Sequence, residues 1–101
     1  MDRIYVIGDM DTVSAFRLAG VTGVVSSGDR APAQFEEIVG KSDAAVVIVT
    51  NELAGHLRER IREINLNRVL PVIVEIPGVD DREGFRKSDV AYIAEALGIA
   101  L

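Results

Sequence analysis

Four short apolar runs alternate along this chain with segments in which apolar residues recur every three or four positions. That alternation of strand-like and helix-like patterning predicts a parallel sheet with crossover helices. The first run, Arg3 to Gly8, reads as a strand. The second, within Val21 to Ser26, is brief and interrupted by Gly23, which suits an edge position where less packing is demanded. Ala44 to Val49 is apolar at every position, as a central parallel strand covered on both faces requires. The fourth strand starts at Pro71, where a proline loses no interior ladder bond, and runs to about Ile76.

Between these runs the helix signals are local. Asp9 or Asp11 can cap a first helix from about Thr12 to Ala19, stopped by Gly20. Pro32 occupies a first-turn position, Phe35, Ile38 and Val39 recur at helical spacing, and Gly40 closes that second helix. Thr50 or Asn51 caps a third, in which Leu53, Leu57, Ile61 and Ile64 form one stripe while Arg58, Glu59, Arg62 and Glu63 face water. Pro77 to Gly84 combines turn residues with clustered charge and reads as a mobile connection. Beyond it, Ser88 or Asp89 caps a last helix with the stripe Val90, Ile93, Ala94 and Leu97, ending at Gly98. Right-handed crossovers of this length predict a three-layer α/β domain, receiver- or flavodoxin-like, with a four-stranded parallel sheet in the order 2-1-3-4. The expected division is residues 1–77 for the domain, 78–87 for a flexible connection and 88–101 for a C-terminal helix.

Composition narrows the range of functions. At 101 residues and 49% hydrophobic, the chain has material for one core. A net charge of -5 argues against nucleic acid as a partner, because phosphate binding needs a cationic surface. The absence of cysteine excludes disulfides and thiolate metal sites. The apolar start is too short for a signal segment, and the longest apolar run falls far below the roughly 20 residues of a membrane-spanning helix. Nine of the eleven basic residues are arginine, a bias that favours planar, bidentate contacts with a protein partner.

Candidate chemistry is sparse. Gly8-Asp9-Met10-Asp11-Thr12 lies at the carboxyl end of the first strand, where such folds bind ligands, but lacks the further glycines of a phosphate loop. Asp9 and Asp11 can hold a hard cation, although a cap plus a favourable dipole charge is the commoner use of such a pair. A phosphoacceptor receiver would need an aspartate at the end of the third strand, where Thr50 stands, and a lysine after a later strand, where Ile76 is followed by Pro77. His56, the sole histidine, has no nucleophile motif beside it and reads as a helix-surface residue. Binding or assembly therefore outranks catalysis. A metal- or small-ligand enzyme built on Asp9, Asp11 and Asn51 ranks lowest.

The order of Gly8-Asp9-Met10-Asp11-Thr12-Val13, Phe16-Arg17-Leu18-Ala19-Gly20, Pro71 to Gly78 and the ending Ala96-Leu97-Gly98-Ile99-Ala100-Leu101 resembles the F subunit of the archaeal and bacterial V/A-type ATPases. The likeness spans nearly the whole chain. It implies a non-catalytic component of the central rotor stalk, without cofactor, docked on the coiled-coil D subunit inside the ring of A and B subunits. Such a component sits peripherally on the cytoplasmic side of a proton- or sodium-translocating complex, touching the membrane rotor only indirectly. The resemblance maps Pro77 to Lys87 onto a connection, with Gly78 and Gly84 as hinges, and Ser88 to Leu101 onto a helix that can extend toward the catalytic head and regulate hydrolysis. For the adhesive face the candidates are Phe16, Arg17, Val90, Ile93 and Leu97, with Phe16 equally suited to the core. An apolar tail without its partner would favour a homodimer. The competing reading is a degenerate receiver-like signalling module lacking its phosphoacceptor.

Overall fold

The computed structural model describes residues 2–79; the expected last helix and most of the connection lie outside them. Four strands alternate with three helices in the order β1 (Arg3–Gly8), α1 (Met10–Leu18), β2 (Thr22–Val25), α2 (Ala31–Val39), β3 (Ala44–Thr50), α3 (Asn51–Asn67) and β4 (Val72–Ile76). The strands form one sheet in the order β2-β1-β3-β4, and every pairing is parallel, as the alternating pattern predicts. β1 and β3 are central, with Val6 opposite Ile48, while β2 and β4 are the two edges.

Period-two alternation divides the apolar residues between the two faces. Tyr5, Ile7, Val47, Val49 and Ile73 point to one side, where Phe35 and Ile38 of α2 and Leu53, Leu57, Ile61 and Ile64 of α3 cover them. Val6, Ile48 and Ile76 point to the other, against Val13 and Val21. Only α1 packs on this second face among the described residues, so Ile4, Val46 and Val74 remain partly exposed there.

Boundaries shift for local reasons. α1 begins at Met10 rather than Thr12, because Asp9 is the residue with extended backbone whose carboxylate takes the Thr12 amide. It ends where Gly20 adopts a φ of +86°: the Gly20 amide reaches the Arg17 carbonyl at 3.0 Å and the Val21 amide the Phe16 carbonyl at 3.1 Å. These two bonds form a Schellman closure, which needs a left-handed residue at the glycine position. β3 extends through Thr50, and β4 begins at Val72, one residue after Pro71, which has no N–H to give a ladder. Gly23 lets α1 lie close on β2, since a Cβ there would strike Val13 Cγ1. Tyr5 and Arg3 both hold Asp43, by a hydroxyl bond of 2.7 Å and an ion pair of 3.4 Å, tying β1 to the turn before β3. No helix among the described residues is long and apolar enough to cross a membrane.

Candidate functional site

In a parallel sheet of this kind the carboxyl ends of β1 and β3 normally frame the reactive crevice. Here the chain's own groups fill it. Thr50, at the end of β3, is 2% exposed and packs its side chain on Gly8: a Cβ at that glycine would lie 2.5 Å from Thr50 Cγ2. A hydroxyl stands where a phosphoacceptor would need a carboxylate.

Asp9 is committed to α1. One of its oxygens accepts from the Thr12 amide at 3.1 Å and the other from the Thr12 hydroxyl at 2.7 Å. Burial pushes the Asp9 carboxyl up, but the hydrogen bonds from the Thr12 hydroxyl and from the amides of the helix start prevail and hold it below the usual aspartate value. Asp11 lies exposed in the first turn, where its charge favours the helix dipole. Asn51 is exposed at the first position of α3. No group of three or more His, Cys, Asp or Glu side chains suited to a metal ion occurs among the described residues.

The interface candidates fall in different settings. Phe16 is half-buried and packs against the cluster of Val6, Val13, Val21, Ile48 and Ile76. Arg17 is exposed, with Nη2 donating to the Gly23 carbonyl at 2.9 Å. Gly78 follows β4 closely enough that a Cβ would approach Asp9 Oδ1 to 3.3 Å. Gly84, Val90, Ile93 and Leu97 lie outside the described residues.

On the opposite side, Arg60 of α3 grips Glu36 of α2 through two bonds, 2.6 and 2.9 Å, and reaches Glu63 at 2.9 Å. The bonds to Glu36, ahead of the charge of Glu63, raise the guanidinium above its ordinary value. This network lies along an open groove of about 600 Å³ between α2 and α3 that also meets Pro32 and His56. The His56 ring lies over Gly28, whose Cβ would fall 2.9 Å from Nε2, so the histidine is an exposed lid on the loop before α2.

Two features escape a reading of the sequence. One is Thr12, 0% exposed, whose hydroxyl also accepts the Val79 amide at 3.1 Å; only an aspartate three residues earlier marks it as more than a core position. The other is a run of exposed apolar side chains, Leu66, Val69, Leu70 and Val72, where α3 passes into edge strand β4. The apolar-rich stretch from Leu66 to Val72 was the available signal. Leu18 and Met10 of α1 are exposed as well.

Known proteins are similar to this chain in fold and in sequence. Residues 4–93 match the family model described as ATP synthase (F/14-kDa) subunit. The chain is similar to the A-type ATP synthase F subunit of Methanothermobacter thermautotrophicus, 39% identical over 86 residues and 80% of each chain. It is similar also to the A-type ATP synthase F subunit of Methanocaldococcus jannaschii, 34% identical over 98% of each. Among solved structures, the V-type ATP synthase F subunit from Archaeoglobus fulgidus superposes with a TM-score of 0.62 at 28% identity, over 74% of this chain and 96% of that one.

Proposed function

This chain belongs to the ATP synthase (F/14-kDa) subunit family, and from that premise we propose that it is a non-catalytic component of the central stalk, binding the coiled-coil D subunit and helping to couple or regulate ATP hydrolysis and synthesis with rotation. Its place as the F subunit of an A/V-type ATP synthase rests on the family match; the rotor role is the inference. The observation that carries it is the filled crevice. Asp9 is engaged by Thr12, and Thr50 packs on Gly8, so the strand ends serve the domain's own cohesion. ATP chemistry then belongs to the A and B subunits around the stalk.

The same proposal covers the division of the chain into a domain of residues 1–77, a connection of 78–87 and a helix of 88–101. The partly exposed face formed by Ile4, Val46 and Val74 supports it, because it offers apolar cover beside α1 for the stripe Val90, Ile93 and Leu97. Burying three such side chains would contribute roughly 4.5 to 9 kcal/mol, at about 1.5 to 3 each, so a stripe seated there would leave that face only for a partner offering comparable burial. Phe16 and Arg17, at the end of α1, complete the proposed contact with the D subunit. The complex translocates protons or sodium ions, and this component sits peripherally at its cytoplasmic side.

The test is affinity capture of the tagged chain from its native membranes at moderate salt. Recovery with the D subunit and the catalytic subunits supports the rotor role. Recovery with a sensor kinase or transcription factor in their place overturns it in favour of a receiver-like signalling module.

A further inference from the structure

The sheet and α1 are joined at a point that neither the capping of α1 nor the filling of the crevice requires. After β4 ends at Ile76, the chain turns over the carboxyl edge of the sheet, and the Val79 N–H donates to Thr12 Oγ1 at 3.1 Å, across 67 positions of sequence. The Thr12 hydroxyl donates in turn to Asp9 Oδ1 at 2.7 Å. A hydroxyl has one proton and two lone pairs, so commitment of the proton to the carboxylate leaves oxygen density for the amide. The carboxylate polarises that hydroxyl and improves it as an acceptor, an effect favoured by the burial of Thr12.

The neighbouring residues fit this arrangement. Pro77 has no N–H to compete for the hydroxyl. Gly78 passes so near that a Cβ would come within 3.3 Å of Asp9 Oδ1 and 3.5 Å of Thr12 Oγ1. A side chain there would press on the two groups that make the contact.

We propose that the relay from the Val79 N–H through the Thr12 hydroxyl to the Asp9 carboxylate is a conformational latch, fixing the direction in which the chain departs from β4. Asp9, one of the two acids that resemble a ligand loop in the sequence, thereby acts on the chain's own backbone. One hydrogen bond closes the latch, so opening exchanges it for water without disturbing the sheet. The latch deepens the rotor reading and rests on it for its use, since it would set whether the following residues start along the domain or away from it.

Amide hydrogen exchange of the full chain, read residue by residue by NMR, tests the latch. Thr12→Val removes the hydroxyl at nearly constant volume and is expected to speed exchange at Val79 about five- to tenfold, the value of one net hydrogen bond, while Val47 and Ile48 of β3 keep their protection. Thr12→Ser, which restores the hydroxyl, is expected to match wild type. Equal Val79 exchange in Thr12→Val and wild type, or a Thr12→Ser as fast as Thr12→Val, overturns the proposal. Should Thr12→Val fail to fold, the wild-type chain still decides: a slowly exchanging Thr12 hydroxyl proton with a cross-peak to the Val79 amide is expected, and its absence overturns the latch. A chain with the expected exchange pattern that is not captured with ATPase subunits upholds the latch and refutes the rotor reading alone.

Discussion

Two glycines allow the same substitution to be tested with opposite expected signs. Gly23 lies in β2 beneath α1, and a Cβ placed on it would strike Val13 Cγ1 and come within 3.4 Å of Val6 Cγ1. Val13 and Val6 are both fully buried, so neither can swing aside into solvent. Gly23→Ala must therefore lift α1 or force off-rotamer side chains, at a cost of about 1 to 3 kcal/mol for overpacking. The gain from a less flexible unfolded chain offsets about 0.4 to 1 kcal/mol of this. Gly55, in the exposed part of α3, has nothing within 4 Å of the same added atom. Gly55→Ala meets no opposing term and is expected to stabilise by about 1 kcal/mol through helix propensity. For a domain of this size each kcal/mol moves Tm by roughly 4 to 8 °C, so calorimetry should find Gly23→Ala several degrees below wild type and Gly55→Ala several degrees above. A Gly23→Ala Tm at or above that of wild type would show that the close seat of α1 on β2 is not what constrains Gly23.

Other predictions concern charge and pH. Tyr5→Phe removes the 2.7 Å bond to Asp43 and should lower Tm by less than Gly23→Ala. That bond, with burial, raises the Tyr5 phenol above its usual value, so its contribution is full below the unfolded pKa near 10 and fades as pH rises through the folded one; ultraviolet titration of wild type against Tyr5→Phe measures this. Asp9→Ala removes the cap of α1 and should cost about 1 kcal/mol in urea denaturation at neutral pH. Because the folded Asp9 value is depressed, its contribution is present above the unfolded value near 3.9 and is lost as pH falls through the folded one, so the two proteins should converge in stability in strong acid. Arg60→Ala breaks an exposed network, and its effect on Tm should shrink as salt is raised; an effect independent of salt would assign Arg60 a packing role instead.

The parts of the fold that depend on local pattern were readable in advance. Unbroken apolarity in Ala44 to Val49, a broken second run at Gly23 and crossovers of helical length lead to the order 2-1-3-4 without any contact information. Where α1 begins was ambiguous, since Asp9 and Asp11 are equally good caps by type, and only the extended backbone of Asp9 and its bond to the Thr12 amide distinguish them. Which elements cover each face was hidden, because apolarity reports that a side chain avoids water without saying what shelters it. The candidate site was legible in part: Thr50, where a receiver would need an aspartate, does close β3. The role of Thr12 was not, because its acceptor function depends on Val79, and a contact between residues so far apart leaves no mark on the pattern around either.

Among the described residues β4 is an edge strand, and this bears on how such a protein must be produced. A parallel strand at the margin of a sheet presents unpaired backbone groups to any extended chain, and here Leu70 and Val72 stand exposed beside it. Charged or proline residues usually guard such margins; here Glu75, paired with Arg58 at 3.8 Å, is the one charge within the strand, and Pro71 and Pro77 sit just before and just after it. An excess of this chain over the rest of its complex is thus an aggregation hazard, and synthesis in step with its partners is the safer regime.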